Sequence, residues 1–314
     1  MSDMVRYILS RLLAMAITLF VIISLSFFVI RLMPGNIFDH PDLPPHISLL
    51  LEERMGLGRP LYVQYFNFVR NVMRGDFGTS LVLRPALPVF QVVRERVGIT
   101  MLLNLMSLAI SLPLGVLAGT LAALNKDKIP DHLVSIFVVL FISVPSFVFA
   151  ALLQYLLTFL IPIFPAIYMP GNAVSLTLPV VALSLGPMAV VARYLRGELI
   201  EVMSGEFMLL ARAKGMSRGQ AVARHALRNS CVPLVNVIVP MFTGIMAGSL
   251  VVERIFAVPG MGGIMVDAIN AGDDQLTIAV LLFFSIISLS TVLIMDISYG
   301  LLDPRIKIGG KKND

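Results

Sequence analysis

The segment that decides the fold reads LVSIFVVLFISVPSFVFAALLQYLLTFLI (133–161), PIFPAIYMPGNAVS (162–175) and LTLPVVALSLGPMAVVA (176–192). It contains no Asp, Glu, Lys or Arg. A membrane-spanning helix needs about 20 apolar residues to cross the hydrocarbon core, so this length accommodates two helices. The Pro and Gly residues of the middle part do not continue a helix and therefore mark the turn between the two.

The rest of the chain shows the same pattern. Of its 314 residues, 57% are hydrophobic and only 14% are charged, with a mean hydropathy of +0.89. A soluble domain carries about a quarter charged residues. Elsewhere in the chain, long runs without charged residues alternate with shorter segments that contain them, and each such run is long enough for a membrane-spanning helix. We therefore predict an all-α integral membrane protein with six transmembrane helices, at 9–31, 98–123, 133–161, 176–200, 230–253 and 277–302.

The distribution of basic residues predicts the orientation. Cytoplasmic loops of membrane proteins are enriched in Lys and Arg. With the N-terminus inside, 15 of the 24 Lys and Arg residues fall on the inner side, and the short outer loop 162–175 has none. Both termini are therefore predicted to be cytoplasmic. We divide the chain into a first helix with a long extracytoplasmic segment (1–97), a five-helix core with a cytoplasmic loop at 201–229 (98–303), and a cytoplasmic tail (304–314).

Two short helices are expected in the extracytoplasmic segment. His46–Met55 follows a Pro-rich turn and has an amphipathic pattern, and Leu61–Met73 has a similar one.

The sequence lacks the motifs of several kinds of catalytic and metal-binding sites. The single cysteine, Cys231, excludes an intramolecular disulfide and any multi-cysteine metal site. The zinc motif HExxH, the nucleophile elbow GxSxG and the phosphate loop GxxxxGK[ST] do not occur. We therefore expect no catalytic residues, no metal and no cofactor bound by this chain. The net charge of +5 is explained by membrane topology, and no nucleic-acid partner is expected.

The distribution of acidic residues argues against an ion-coupled secondary transporter that works alone. Such proteins keep ionisable groups near the middle of the membrane. The second and third predicted spans have none between their ends, and Asp296 lies in the last two turns of the sixth. A capping or interhelical role for Asp296 is favoured over a proton relay. Any energy that this protein uses would then come from another chain.

The loop GEFMLLARAKGMSRGQAVARHALRN (205–229) is the most informative segment. Ser204 is placed to cap a helix that runs to about Lys214, and Gly215 suits the left-handed residue that ends it. Ser217 is placed to cap a second, basic helix that reaches about Asn229.

The first of these helices exposes Phe207, Leu209 and Leu210. An apolar cluster rimmed by charge is typical of a partner site. Two basic helices lying on anionic lipid headgroups would show the same pattern, and the residues alone do not separate the two interpretations.

The loop resembles the "EAA" coupling loop of ABC importer permeases. ARAKG (211–215) and HALRN (225–229) are similar to its peptide/nickel branch, although Leu209 holds the place of the motif's Glu. RYILSR (6–11), GDFG (75–78), PGMG (259–262) and DPRI (303–306) extend the resemblance over nearly the whole chain.

The resemblance implies a type I importer permease in the bacterial plasma membrane. Its partners would be a second permease subunit, two cytoplasmic ATPases that bind ATP and Mg²⁺, and an extracytoplasmic peptide-binding protein. In that family the short helix docks in a groove of the ATPase. The coupling residues would then be Glu206, Phe207, Leu209, Leu210, Ala211, Arg212, Ala213, Lys214, Gly215, His225 and Arg228.

The substrate would pass between the two permeases. Within the branch, Pro145-Ser146-Phe147 and Leu183-Ser184-Leu185 are more like oligopeptide members than dipeptide, nickel or saccharide members. Polar residues of the predicted spans could line the path, or they could form interhelical hydrogen bonds instead. The candidates are Asn104, Ser107, Ser111, Ser146, Asn236, Thr243 and Ser249.

Overall fold

The computed structural model describes residues 2–32, 56 and 58–302. The predicted helix at His46–Met55 and the tail 304–314 lie outside the described residues. Within those ranges the regular secondary structure is helical, and no β-strand occurs apart from an isolated antiparallel bridge between Thr79 and Pro88. The all-α class is therefore confirmed for this part of the chain.

Eleven α-helices are described. They are α1 Ser2–Leu32, α2 Leu61–Met73, α3 Val89–Leu124, α4 Ile129–Ser143, α5 Ser146–Gln154, α6 Thr177–Ser204, α7 Glu206–Ala213, α8 Arg218–Ala221, α9 Leu227–Ile255, α10 Met261–Ala271 and α11 Asp274–Leu302. π-Helical turns extend α5 over Tyr155–Leu160 and α8 over Val222–Ala226, and a 3-10 turn at Ala173–Leu176 precedes α6.

Four single segments are long and apolar enough to cross a membrane. They are Arg6–Leu32, Val89–Leu124, Ala173–Ser204 and Asp274–Ser298, which match the first, second, fourth and sixth predicted spans. Two bent helix pairs also qualify, and the described residues contain up to six spans if each pair is counted as one.

The third predicted span, 133–161, is not a continuous helix. Its two halves, Ile129–Ser143 and Ser146–Leu160, meet at 101°. Val144 is extended, with φ −100° and ψ 128°, and Pro145 follows it. A residue before proline is disfavoured in the helical region, and proline has no N–H to donate, so the helix ends here despite the apolar sequence.

The other bent pair lies in the region of the fifth predicted span. Gly219–Cys231 and Asn236–Ala247 meet at 59°. Pro233 lies in the break between them, and proline is the commonest cause of a sharp bend in a helix.

The chain divides into two compact units. One comprises the described parts of 1–98 together with 263–289. In it α2 packs on α1: Ser24 Oγ lies 2.6 Å from Tyr65 Oη, and Phe27 stacks on Phe68 with ring centroids 5.1 Å apart. The predicted helix at Leu61–Met73 is confirmed, with the same bounds.

The same unit contains a buried carboxylate, that of Asp273. Its Oδ2 accepts hydrogen bonds from Ser80 Oγ at 2.5 Å and from the backbone N–H groups of residues 81–83 at 3.2 Å each. Asp273 directly precedes α11. The loop between α2 and α3 is thereby fixed to the start of that helix.

The second unit comprises 99–262 and the described part of 290–314. Its main core lies where α3, α5, α6 and α9 meet. The fully or almost fully buried residues include Leu103, Ala150, Val180, Leu183, Val252 and Phe256. The loop that follows α6 packs in a separate cluster, which includes Leu199 near the end of that helix.

Candidate functional site

The loop begins immediately after α6. That helix ends at Ser204, whose hydroxyl donates to the carbonyl of Glu201 at 2.7 Å instead of capping the next helix. Gly205 is extended, and its carbonyl accepts the N–H of Met208 at 3.0 Å. The prediction that Ser204 caps α7 is therefore wrong: Gly205 separates the two helices, and the Ser204 hydroxyl is already occupied by its own helix.

The end of α7 follows the sequence prediction. Gly215 has φ +83°, which is the left-handed region, and the N–H of Met216 bonds to the carbonyl of Ala211 at 3.3 Å. This six-residue closure is the Schellman motif, which satisfies a carbonyl that the helix leaves without a partner. It ends α7 as predicted.

The next helix starts with a reciprocal cap. The N–H of Gln220 donates to Ser217 Oγ at 3.3 Å, and the N–H of Ser217 donates to Gln220 Oε1 at 3.1 Å. Ser217 therefore caps as predicted. The helix does not stop near Asn229, however: α8 continues through the π-helical turn at Val222–Ala226 directly into α9.

The two faces of α7 differ sharply. Met208 and Ala211 are only 5% and 6% exposed, and they pack in a cluster that contains Leu199 of α6. Leu209 and Leu210 point away, and they are 65% and 59% exposed. One face of the helix is thus fixed to the unit, while the other has two leucines that are exposed among the described residues.

The cluster under α7 is built from small side chains. Ala123 of α3 and Ala221 and Ala226 of the following segment join Ala211 in it. Small residues allow helix backbones to approach closely. Ala211 therefore seats α7 on its own chain, a role that the motif resemblance did not indicate.

Most of the remaining predicted coupling residues lie on or directly beside α7, and His225 and Arg228 lie on the segment that follows. The side chains of Phe207 and Arg212 are outside the described part of the structure. The exposed members are Glu206, Ala213, Lys214, Gly215, His225 and Arg228.

An ion pair that sequence reasoning missed lies near this loop. Arg196 of α6 donates from Nε and Nη2 to the two carboxylate oxygens of Asp131 in the first turn of α4, at 2.5 and 2.7 Å. The partners are 65 positions apart. Neither residue was singled out from the sequence, and no local pattern pairs them.

A close helix crossing was also missed. A Cβ placed on Gly115 would lie 2.8 Å from the carbonyl oxygen of Met188, and one on Gly119 would lie 2.7 Å from that of Ala192. The spacing is GxxxG, a pattern of small residues that lets membrane helices pack backbone to backbone. This pattern was the available signal for the contact between α3 and α6.

The residues proposed for the substrate path fall into two groups. Asn104, Ser107, Ser111 and Ser249 have no exposed surface. Ser107, for example, donates to the carbonyls of Leu103 and Val180 at 2.8 and 3.3 Å. Of these four, Ser107 is the one with a described hydrogen bond to another helix, whereas Asn104, Ser111 and Ser249 donate to carbonyls of their own helices. Only Ser146, Asn236 and Thr243 are half-buried and retain accessible surface.

No group of three or more His, Cys, Asp or Glu side chains suited to a metal ion is found in the part of the chain that the structure describes.

The four to six candidate spans among the described residues define the class as a multi-span, helical membrane protein. A family model described as binding-protein-dependent transport system inner membrane component matches residues 112–308. A second, described as the N-terminal part of such a membrane component, matches residues 4–112. The chain belongs to this family of inner membrane components.

Curated relatives match along the full length. The dipeptide transport system permease protein DppB of Lactococcus lactis is 39% identical over 305 residues, covering 97% of this chain and 100% of the relative. The oligopeptide transport system permease proteins OppB of Haemophilus influenzae and Escherichia coli K12 are 35% and 33% identical over 306 residues, with the same coverage.

A solved structure supports the fold. The methionine ABC transporter MetNI, in an inward facing conformation, contains a chain that superposes with a TM-score of 0.51 at 19% identity. The match covers 68% of this chain and 94% of that one. The similarity is evidence for the permease fold alone.

Proposed function

We propose that this chain is one of the two membrane-spanning subunits of an ATP-driven importer that moves peptides across the bacterial plasma membrane. The observation that carries the proposal is α7, a helix anchored by Met208 and Ala211 on which Leu209 and Leu210 are exposed. An exposed apolar face is typical of a protein contact or of a membrane contact, and the resemblance of this loop to the coupling loop of importer permeases favours a protein partner.

The partners follow from the family. A second permease subunit would complete the path, two cytoplasmic ATPases would bind ATP and Mg²⁺, and an external binding protein would deliver the peptide. The chain itself would catalyse no reaction. ATP can drive transport only by favouring one conformation over another, and α7 is the element through which the ATPases would impose that preference.

The proposed topology has six spans with both termini in the cytoplasm. Each bent helix pair then counts as one span. This arrangement places the loop 205–229, with its Lys and Arg residues, on the ATPase side.

The substrate class rests on two kinds of support. The motifs around Pro145 and Ser184 favour oligopeptides, whereas the curated relatives include both dipeptide and oligopeptide permeases. We propose that the external binding protein selects peptide length and that this chain supplies a path that accepts peptides of different lengths. Asn236, Thr243 and Ser146 remain candidates for its lining, since they keep accessible surface.

Co-purification in detergent with the native neighbouring proteins tests the assembly. A second multi-span permease and P-loop ATPases should be identified by mass spectrometry. Recovery of the chain alone, under conditions that preserve known importer complexes, would favour a stand-alone secondary transporter.

A gene-deletion strain tests the activity. Uptake of labelled peptides should disappear and return with the intact gene. Uptake that continues in the deletion strain would instead favour a structural or assembly role for the chain.

A further inference from the structure

The pair Asp131–Arg196 joins two helices with fixed geometry. The guanidinium presents two N–H groups to the two carboxylate oxygens at 2.5 and 2.7 Å, and Asp131 is only 2% exposed. A bidentate pair of this kind is stronger and more directional than a single hydrogen bond. It sets the position of α4 along α6.

The same carboxylate also holds the turn between α3 and α4. The backbone N–H of Asp127 donates to Asp131 Oδ2 at 3.0 Å, and Asp127 itself has φ +61°. A non-glycine residue in this region is uncommon and is maintained by its surroundings. One buried carboxylate therefore connects the α3–α4 turn, the start of α4 and the side of α6.

The pair lies beside the seat of α7. Leu199 follows Arg196 by three residues, so both lie on the same side of α6. Leu199 is fully buried in the cluster that holds Met208 and Ala211, and Ala123, at the end of α3, belongs to it as well. The end of α3 that belongs to this cluster is followed by the turn to Asp131. The part of α6 that belongs to it lies one turn after Arg196.

An apolar cluster is also described between α4 and α6. Val138 of α4 packs with Ala189 and Ala192 of α6. Apolar attraction is non-directional, and small side chains offer little resistance to sliding. Of the contacts described between these two helices, the ion pair is the one that fixes their register.

We propose that Asp131 and Arg196 are positioning residues that make α4 move together with α6 when α7 is displaced. The inference rests on the proposed function, in which α7 receives the motion of the ATPase. Without the pair, α7 would still bind the ATPase, but its displacement would reach α4 incompletely.

The test uses the complete importer complex in proteoliposomes. Initial peptide uptake and ATP hydrolysis are measured together, and their ratio gives the peptides moved per ATP. The variants are Asp131→Asn, Arg196→Gln and the double variant. Arg193→Gln is the matched control, because it removes the same charge from an exposed position three residues earlier on α6.

We expect the ratio to fall about fivefold or more in each single variant, the lower range of typical coupling between sites. ATP hydrolysis and co-purification of the ATPases should persist. The double variant should lose no more than either single variant, since both remove one shared interaction. Arg193→Gln should retain the wild-type ratio.

Three results would overturn the inference. The first is a wild-type ratio in the assembled single variants, and the second is a double variant whose losses multiply. The third is failure of both singles and of Arg196→Lys to assemble, which would assign the pair to folding alone. A wild-type complex that takes up no peptide would instead refute the proposed function, and the inference with it.

Discussion

The carboxylate of Glu253 accepts a hydrogen bond from the hydroxyl of Thr100 at 2.7 Å, across 153 positions of sequence. The second carboxylate oxygen accepts the N–H of Gly262 at 2.7 Å, and the Thr100 oxygen accepts the N–H of Met261 at 2.8 Å. Glu253 and Thr100 are fully buried. This network fixes the end of α9, the start of α10 and α3 within one unit.

Gly262 is required by this network for steric reasons. A Cβ on it would lie 2.4 Å from the Cα of Leu250. We expect Gly262→Ala to lower the stability of the purified chain by about 1–3 kcal/mol, as overpacking does. Thermal unfolding in detergent checks this. Gly244→Ala is the control, since a Cβ there meets no atom within 4 Å, and equal unfolding temperatures for the two variants would contradict the packing.

Gly119 allows α3 to approach α6. A Cβ on it would meet the backbone of Ala192, which cannot move aside as a flexible side chain can. Gly119→Ala should therefore lower the unfolding temperature, whereas Gly197→Ala, with open space around it, should leave it unchanged or raise it. An unaltered Gly119→Ala protein would show that the two helices are farther apart.

The exposed leucines of α7 should govern binding of the ATPase. We expect Leu209→Ser combined with Leu210→Ser to abolish co-purification of the ATPases, because these side chains would supply the apolar centre of the contact. Met208→Leu, a change of similar volume on the buried face, is the control and should retain binding. Undiminished ATPase recovery with the double variant would exclude this face as the docking surface.

Gly215 is needed for its backbone conformation and not for close packing. Its φ is +83°, and no atom lies within 4 Å of a Cβ placed there. Asparagine tolerates this region, whereas proline is locked near −65°. Gly215→Asn should therefore support peptide uptake and Gly215→Pro should abolish it, as measured in the complemented deletion strain. Equal uptake by the two variants would mean that the turn after α7 is dispensable.

Features with a local chemical cause were predictable from the sequence. The helix at Leu61–Met73, the left-handed Gly215 and the cap at Ser217 each depend on residues within a few positions. The apolar spans were equally readable, because membrane insertion requires long uncharged runs.

Features that depend on competing or distant residues were not predicted. The apolar run through Val144–Pro145 predicted one straight span, but the proline constraint prevailed over hydropathy. The pairing of Asp131 with Arg196 requires knowing that α4 packs on α6. The burial of Asn104 and Ser249 likewise depends on which helix face meets a neighbour, and the spans, apolar on nearly all sides, do not reveal it.

The central claim is that this chain forms the membrane path of an ATP-driven peptide importer. The most direct measurement is uptake of a labelled peptide into proteoliposomes that contain the chain with its co-purified permease, ATPases and binding protein. The account predicts uptake that requires ATP and is lost when Leu209 and Leu210 are both replaced by serine. Uptake that proceeds without ATP or without the ATPases would contradict it.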